Sequence, residues 1–155
     1  MTHSAKIVWK RGHGEPFVDN KYSRAHTWSF DGGIEVAASS SPQAVPLPMS
    51  KASAVDPEEA FVASISSCHM LWFLSIAARL RFLVERYEDN PEGRMEQNGD
   101  GAWSMTAVIL KPEVLFDGDR IPSPRQLDEL HELAHESCYI ANSVRTEIRI
   151  IPIKT

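Results

Sequence analysis

The sequence has no excess of basic residues, and this excludes one class of partner. Its 155 residues include 16 Lys plus Arg against 21 Asp plus Glu, which gives a formal net charge of −5. A protein that binds a polyanion usually carries a basic patch. The arginines here are spread out among acidic residues, so we expect no nucleic-acid partner.

A long unbroken apolar run is also missing. The most apolar stretch, Met70–Ala78, is interrupted by Ser75 and closed by Arg79, whereas a membrane span needs about 20 apolar residues. The start of the chain lacks the charged head, apolar block and cleavage site of a signal peptide. We therefore expect a cytoplasmic protein without a membrane partner. The length suits one domain over residues 1–155, with a core that needs no disulfide.

Cysteine is scarce, with two residues in the chain, Cys68 and Cys138. In a reducing cytosol a permanent disulfide is not expected. Three interpretations of the pair remain: two buried bystanders, a metal-binding pair or a redox pair. Composition alone favours bystanders, because free cysteine is among the most buried residue types.

The remaining pattern predicts strands at both ends of the chain around one apolar helix. Asp31-Gly32-Gly33 separates two β-like runs and is a strong hairpin signal. The predicted strands are Lys6–Lys10, Arg24–Phe30, Ile34–Ser39, Phe82–Asp89, Ala102–Phe116 and Thr146–Ile153. Asn90–Gly101 is rich in turn residues and is predicted to be a loop. The order β-β-β-α-β-β-α-β indicates the α+β class, with an antiparallel sheet, a buried central helix and a second helix.

Both predicted helices have clear start signals. Asp56 can cap the first, and the proline and two acids that follow it suit a first turn. This helix is predicted to run to about Leu83, and apolar residues cover most of its circumference, which is typical of a buried helix. Ser123 caps the second helix, with Gln126 in the capping-box position, and this helix is predicted to continue to about Cys138.

The second helix contains a match to a zinc motif that we reject. His131–His135 reads H-E-x-x-H, a pattern that can place two zinc ligands and a general base on one helix face. The match fixes three residues within an ordinary charged stretch, and no third histidine follows at the usual spacing. Glu147 could in principle be a third ligand but lies in a predicted strand twelve residues beyond His135, and Cys138, one turn past His135, would give a second metal interpretation. We interpret the motif as a solvated helix face and expect no metal.

Helical geometry places one cysteine on the inward side of the second helix. At 100° per residue, Leu130, Ala134 and Cys138 fall within one narrow stripe that begins at Leu127. Cys138 is therefore predicted to face the core that the central helix fills. Two cysteines on two core-facing helices can meet, although the pattern alone does not bring them together.

Three segments of the chain resemble the OsmC/Ohr superfamily of thiol-dependent peroxidases. Asp56–Cys68 looks like the segment that precedes the reactive cysteine of that family, and Ala134–Asn142 looks like its second-cysteine segment. Tyr22–His26, with the hairpin Asp31–Gly33, resembles its N-terminal arginine loop. The likeness extends in the same order over nearly the whole chain, from residue 7 to residue 152.

The resemblance implies a function and a set of roles. The protein would reduce organic hydroperoxides to alcohols in oxidative-stress defence. Cys68 would be the peroxidatic cysteine and Cys138 the resolving cysteine. Arg24 would hold the thiolate, and Glu58 would pair with Arg24. An external dithiol, such as the dihydrolipoyl group of the best-known members, would act as the reductant, and no resident cofactor is implied.

Elementary electrostatics is consistent with these implied roles. A thiol is mostly protonated at neutral pH, and burial favours the protonated form further. Cys68 lies about three turns into its helix, where the N-terminal dipole gives little help. A cation must therefore come from elsewhere, which is the role proposed for Arg24. A buried guanidinium in turn needs a carboxylate, which is the role proposed for Glu58.

The spacing of Glu58 and Cys68 bears on the oligomeric state. On one straight helix they lie about 15 Å apart along the axis and about 80° apart in azimuth. Either the helix breaks near Ser64–Ser67 or the carboxylate comes from a second subunit. We expect an intertwined homodimer with two composite sites, and the family resemblance points the same way.

The face of the helix around Cys68 is apolar and predicts the substrate class. Phe61, Ile65 and Trp72 lie on that face and are predicted to bind an organic hydroperoxide, although each taken singly is more often a core residue. Tyr139 stands where many relatives carry proline, which leaves the substrate and the reductant open. The alternatives are a non-catalytic thiol sensor or a binding protein for apolar ligands on the same fold and, less favoured, a zinc hydrolase.

Overall fold

The computed structural model describes residues 1–153. The chain forms two compact units, one over Met1–Ala60 and one that starts at Phe61. The single domain over residues 1–155 stays a prediction. The elements are β1 (Ala5–Val8), β2 (His26–Phe30), β3 (Glu35–Ala38), α1 (Pro57–Arg79), β4 (Leu83–Glu88), β5 (Glu92–Gln97), β6 (Trp103–Leu110), β7 (Glu113–Asp117), α2 (Pro124–Ser137) and β8 (Glu147–Ile150).

The first unit contains an antiparallel sheet in the order β1-β2-β3. The predicted hairpin is confirmed: Phe30 and Ile34 close the turn between β2 and β3, with the Phe30 N–H donating to the Ile34 carbonyl at 3.0 Å. Gly33 has a φ of 81°, a left-handed conformation that glycine adopts without steric cost. The turn chemistry was therefore readable from the sequence.

Helix α1 begins as predicted and runs without a break. The Glu59 N–H donates to Asp56 Oδ1 at 2.7 Å, and the Asp56 N–H donates to Glu59 Oε2 at 3.2 Å, so the two residues form a reciprocal cap. The helix continues through Ser64–Ser67 to Arg79. The alternative in which the helix breaks near these serines is therefore excluded within this chain.

Helix α1 ends four residues before the predicted limit at Leu83. Arg81 has a φ of 64°, and its N–H donates to the Ala78 carbonyl at 3.1 Å, while the Phe82 N–H donates to the Ala77 carbonyl at 2.9 Å. This pair of bonds is the Schellman arrangement that satisfies the last carbonyls of a helix. The residue at the left-handed position is usually glycine, which is why the stop was missed.

The second unit has two sheets rather than one antiparallel sheet. β4 pairs with β7, and a second sheet has the order β5-β6-β8. The predicted α+β class with antiparallel sheets is confirmed, although β6 and β8 run parallel. Asn90–Gly101 contains β5, which was predicted as a loop, because this strand is exposed along its whole length and shows no apolar alternation. The predicted strand Ala102–Phe116 is divided into β6 and β7 at Lys111-Pro112, since proline cannot donate to a ladder.

Helix α2 is confirmed at both ends. The Gln126 N–H donates to Ser123 Oγ at 3.3 Å, and the Ser123 N–H donates to Gln126 Oε1 at 2.9 Å. Cys138 is the residue that caps the C-terminal end. The predicted inward stripe is also confirmed, because Leu130, Ala134 and Cys138 are each at most 1% exposed.

Helix α1 is buried along one side within its own chain. Its buried residues are Ile65, His69, Phe73, Ile76 and Ala77. Phe73, Ile76 and Ala77 pack with residues of β7 and α2, and Ile65 packs with Val108 and Leu110 of β6. Leu71 on α1 is 60% exposed, so the predicted central helix is buried on one side and exposed on the other within the single chain.

By length and composition α1 is apolar enough to cross a membrane. We expected no such segment because we considered only unbroken apolar runs. The mean hydropathy of α1 meets the criterion even though the helix contains Ser and His residues. The central helix of a globular protein passes the same test. Helix α1 packs against α2 and the sheets of the second unit, as the central helix of a globular protein does.

Gly93 in β5 provides a test of the packing between α1 and the sheet. A Cβ on Gly93 would lie 2.6 Å from Val62 Cγ2 and 2.6 Å from Met105 Sδ. Met105 can move, but the β-branched Val62 is stiff. We expect Gly93→Ala to lower the free energy of unfolding by about 1–3 kcal/mol, measured by urea denaturation. Gly99→Ala, where nothing lies within 4 Å, is the control, and equal stability of the two variants would contradict this packing.

Candidate functional site

The structure brings the two cysteines together. Cys68 of α1 lies close enough to Cys138 at the end of α2 to raise the pKa of the Cys138 thiol, and both are free thiols. The two residues are 70 positions apart in the chain. The sequence left three interpretations of the two cysteines open. This contact does not support the interpretation in which they are two unrelated buried residues.

The environments of the two thiols differ. Cys68 is half-buried, whereas Cys138 is buried and 1% exposed. Burial, together with the neighbouring Cys68, raises the pKa of Cys138 to about 11. The Ala141 N–H donates to Cys138 Sγ at 3.4 Å. Cys138 therefore keeps its proton at neutral pH, and Cys68 is the thiol that a reagent from solution meets first.

A pair of buried histidines lies beside the thiols. Nε2 of His69, the residue after Cys68, is 3.1 Å from Nδ1 of His131 on α2. The two rings are nearly parallel, and they are 1% and 3% exposed. The ring of Phe73 packs on His131 with centroids 4.5 Å apart. The contact of α1 with α2 is thus partly polar, although its surroundings are apolar.

A second polar contact fixes α1 close to Cys68. The Ser66 hydroxyl donates to Asp89 Oδ2 at 2.6 Å. The other carboxylate oxygen of Asp89 accepts the Lys111 N–H at 2.6 Å. Asp89 thereby ties the middle of α1 to the ends of β4 and β6.

The predicted substrate residues lie in different environments. Trp72 is partly buried, and its ring meets Tyr139 edge to face, with centroids 5.5 Å apart. Phe61 is partly buried against the core, but Ile65 is 1% exposed and belongs to that core. Trp72 and the exposed Tyr139 are therefore the aromatic groups that an apolar molecule near the thiols can reach.

Arg24 lies in the first unit and is held within its own loop. Its guanidinium donates to Asn20 Oδ1 at 2.8 Å and to the Tyr22 carbonyl, and it stacks 3.7 Å from the centre of the Tyr22 ring. Tyr22 in turn packs against Trp9 and Phe17. The loop therefore orders the guanidinium without a carboxylate.

Glu58 lies near the start of α1 without the expected partner. The four ion pairs found over residues 1–153 include neither Arg24 nor Glu58. The Oε2 atom of Glu58 is buried and accepts no hydrogen bond from the described part of the chain. The Arg24–Glu58 pair that the family resemblance implies is therefore not made among residues 1–153.

The H-E-x-x-H segment is not the solvated face that we expected. His131 is buried against His69, although Glu132 is exposed. Residues 1–153 contain no group of three or more His, Cys, Asp or Glu side chains that could hold a metal ion. His131 lies about 20° from Cys138 on the helix wheel, so the inward stripe was the signal that could have identified it.

Comparison with known proteins identifies related sequences and folds. The sequence profile of a family described as OsmC-like protein matches residues 50–152. No curated protein matches the chain significantly. The structure of the OsmC-like protein of unknown function VCA0330 from Vibrio cholerae O1 biovar eltor is 56% identical, with a TM-score of 0.97 over 99% of each chain.

More distant structures share the fold. An organic hydroperoxide resistance protein from Elizabethkingia anophelis is 16% identical, with a TM-score of 0.73 over 100% of this chain and 97% of that chain. The organic hydroperoxide resistance protein OhrB of Bacillus subtilis is 18% identical, with a TM-score of 0.69 over 97% of this chain and 98% of that chain.

The buried histidines predict how stability depends on pH. Burial lowers the pKa of His69 to about 3 and that of His131 to about 4, whereas histidine in an unfolded chain titrates near 6.5. Between these values the unfolded chain binds protons that the folded chain excludes. We expect the free energy of unfolding to fall as the pH drops from 6.5 to 4, by up to about 1.4 kcal/mol per pH unit for each histidine.

Urea denaturation between pH 8 and pH 4 measures this slope. The control is the double variant His69→Gln/His131→Asn, which keeps two hydrogen-bonding groups but has no imidazole to titrate. The variant should lose the part of the slope that the histidines contribute. The same slope in both proteins would show that neither buried ring resists protonation.

Proposed function

Because the chain belongs to the OsmC-like protein family, we propose that it is a thiol-dependent peroxidase that reduces organic hydroperoxides to alcohols in oxidative-stress defence. The observation that carries this proposal is the contact between half-buried Cys68 and buried Cys138. Two proteins of the same fold are organic hydroperoxide resistance proteins, which supports the same substrate class.

The first step takes place at Cys68. Its thiolate attacks one oxygen of the hydroperoxide, so that an S–O bond forms while the O–O bond breaks. The leaving alkoxide takes up a proton and departs as an alcohol, and Cys68 is oxidised to a sulfenic acid. The partial exposure of Cys68 supports its assignment to this step.

The second step uses Cys138. Its sulfur attacks the sulfur of the sulfenic acid, the S–O bond breaks, and water leaves as the disulfide forms. The raised pKa of Cys138 keeps this thiol protonated until the first step has occurred. An external dithiol, such as a dihydrolipoyl group, then reduces the disulfide by thiol–disulfide exchange and is itself oxidised.

Arg24 supplies the positive charge in this proposal. A thiolate in an apolar setting needs a cation nearby, and a guanidinium remains charged at any relevant pH. The hydrogen bonds to Asn20 and the stacking on Tyr22 order this group in advance. Glu58 would hold Arg24 in its working position.

A cytoplasmic homodimer completes the proposed site. Helix α1 is unbroken between Glu58 and Cys68, so the two side chains cannot meet through a bend. The buried Oε2 of Glu58 lacks a partner within residues 1–153, and Leu71 leaves apolar surface of α1 uncovered. A second copy of the chain packed on α1 would cover that surface and bring a Glu58 to the opposite Cys68.

The reaction at the two sulfurs can be followed by intact mass. After one equivalent of cumene hydroperoxide, the reduced protein should lose two hydrogens as the disulfide forms. Cys138→Ser should instead gain one oxygen at Cys68, because no thiol remains to close the disulfide. Cys68→Ser should not change at all. An unchanged mass for the unsubstituted protein would contradict the proposal.

Steady-state turnover separates an enzyme from a thiol sensor. With cumene hydroperoxide and an excess of dithiol, the proposed peroxidase consumes many equivalents of peroxide per chain. Arg24→Lys and Arg24→Ala should both slow the first step, and Ala the more strongly, because lysine keeps the charge but loses the planar fork. A single turnover followed by no further consumption would favour the sensor.

Light scattering tests the proposed dimer. Leu71→Glu should yield monomers with reduced turnover, because a charge on the exposed side of α1 opposes burial against a second copy. Leu47→Glu is the control, since Leu47 is also 60% exposed but lies outside α1. A stable and fully active monomer of the unsubstituted protein would contradict the shared site.

A further inference from the structure

The contact between α1 and α2 contains a polar pair to which the proposed reaction gives no role. His69 and His131 share a hydrogen bond of 3.1 Å and are almost fully buried. We propose that this imidazole pair is a positioning device, whose hydrogen bond sets the rotation of α2 on α1 so that Cys138 meets Cys68. The inference rests on the proposed function, because formation of the Cys68–Cys138 disulfide is a step of the proposed reaction.

Stability alone does not account for the pair. Nδ1 of His69 and Nε2 of His131 are buried without a hydrogen-bond partner among residues 1–153, and a buried unsatisfied group costs free energy. Replacing both partners of a buried hydrogen bond by apolar groups of similar shape is often neutral or stabilising. A core made of leucine at both positions would therefore hold the helices together at least as well.

A hydrogen bond provides what the apolar neighbours do not. Phe73, whose ring packs on His131, belongs to one core cluster with Leu130 and Ala134, and burial of such residues is non-directional. A hydrogen bond between two rings depends on distance and angle. The pair therefore selects one rotation of α2 among those that the apolar contacts allow.

The positions of the pair link it to the thiols. His69 directly follows Cys68 on α1, and His131 precedes Cys138 by two turns on α2, so these two residues of α2 point within about 20° of each other. Rotation of α2 by one residue would turn Cys138 by about 100°. A disulfide forms within a narrow range of Cα separations, and such a rotation would prevent it.

The protonation state of the pair is compatible with this role. A neutral imidazole has one donor and one acceptor nitrogen, so two neutral rings can share a hydrogen bond, whereas two imidazolium rings cannot. Burial lowers the pKa of both rings, and both are neutral at physiological pH. The hydrogen bond is therefore present under the conditions in which the disulfide must close.

Two double variants test the inference. His69→Gln/His131→Asn keeps the bond, because the terminal amide group of glutamine superimposes on Nε2 and that of asparagine superimposes on Nδ1. His69→Leu/His131→Leu removes the bond but retains the apolar packing. The single variant His131→Leu is prepared as well, circular dichroism identifies the variants that fold, and the comparison is made among these.

Closing of the disulfide is measured separately from peroxide chemistry. Oxidised glutathione forms a mixed disulfide with Cys68, and attack by Cys138 then releases glutathione as the protein disulfide forms. We expect the leucine variants to close about tenfold more slowly than the unsubstituted protein. The Gln/Asn variant should close within about twofold of it. The rate of the first step, measured with peroxide in a Cys138→Ser background, should be unchanged in all of them.

Two results would overturn the inference. In the first, the disulfide closes as fast in the leucine variants as in the unsubstituted protein. In the second, it closes as slowly in the Gln/Asn variant as in the leucine variants. Failure of the proposed function gives a different pattern. If peroxide does not react with Cys68 but glutathione release still depends on the hydrogen bond, the peroxidase assignment falls and the positioning role stands.

Discussion

The contact between α1 and α2 is the interaction on which the chemistry of this protein depends. It joins residues 62 to 70 positions apart in the chain, and it combines a thiol pair, an imidazole pair and apolar packing around Phe73. The burial of Cys138 and the nearness of Cys68, which together raise the pKa of Cys138, both come from this packing. A contact away from α2 also holds α1, since the Ser66 hydroxyl donates to Asp89.

The sequence predicted local structure correctly where the structure depends on a few neighbouring residues, as at the helix caps. The caps at Asp56 and Ser123 depend on side chains that lie three residues from their partners, and both formed as expected. The end of α1 escaped detection because Arg81 occupies a conformation that usually requires glycine. Strand β5 was missed because exposure on both faces leaves no alternation, and the parallel pairing of β6 with β8 is a long-range property that a local pattern does not encode.

The sequence predicted those parts of the site that depend only on which face of a helix is buried. The stripe ending at Cys138 was found by angular position, but His131 on the same stripe was assigned to solvent because its neighbours are charged. Its partner could not be identified, since a pairing between two helices depends on their relative rotation. For Glu58, helix spacing predicted that the carboxylate would not reach Cys68 along a continuous α1, and the uninterrupted helix agrees.

The parallel pairing of β6 and β8 has a consequence for how the protein folds during synthesis. Ala107 lies opposite Glu147, so the ribosome must add 40 residues after Ala107 before the partner of that residue in β8 exists. In the meantime the β8 side of β6 is an open edge, with unpaired backbone groups that can recruit another chain. Because α2 and Cys138 lie within this interval, both are made before the sheet is closed. A delay in translation between residues 110 and 147 would therefore prolong the period in which the nascent chain is most prone to aggregate.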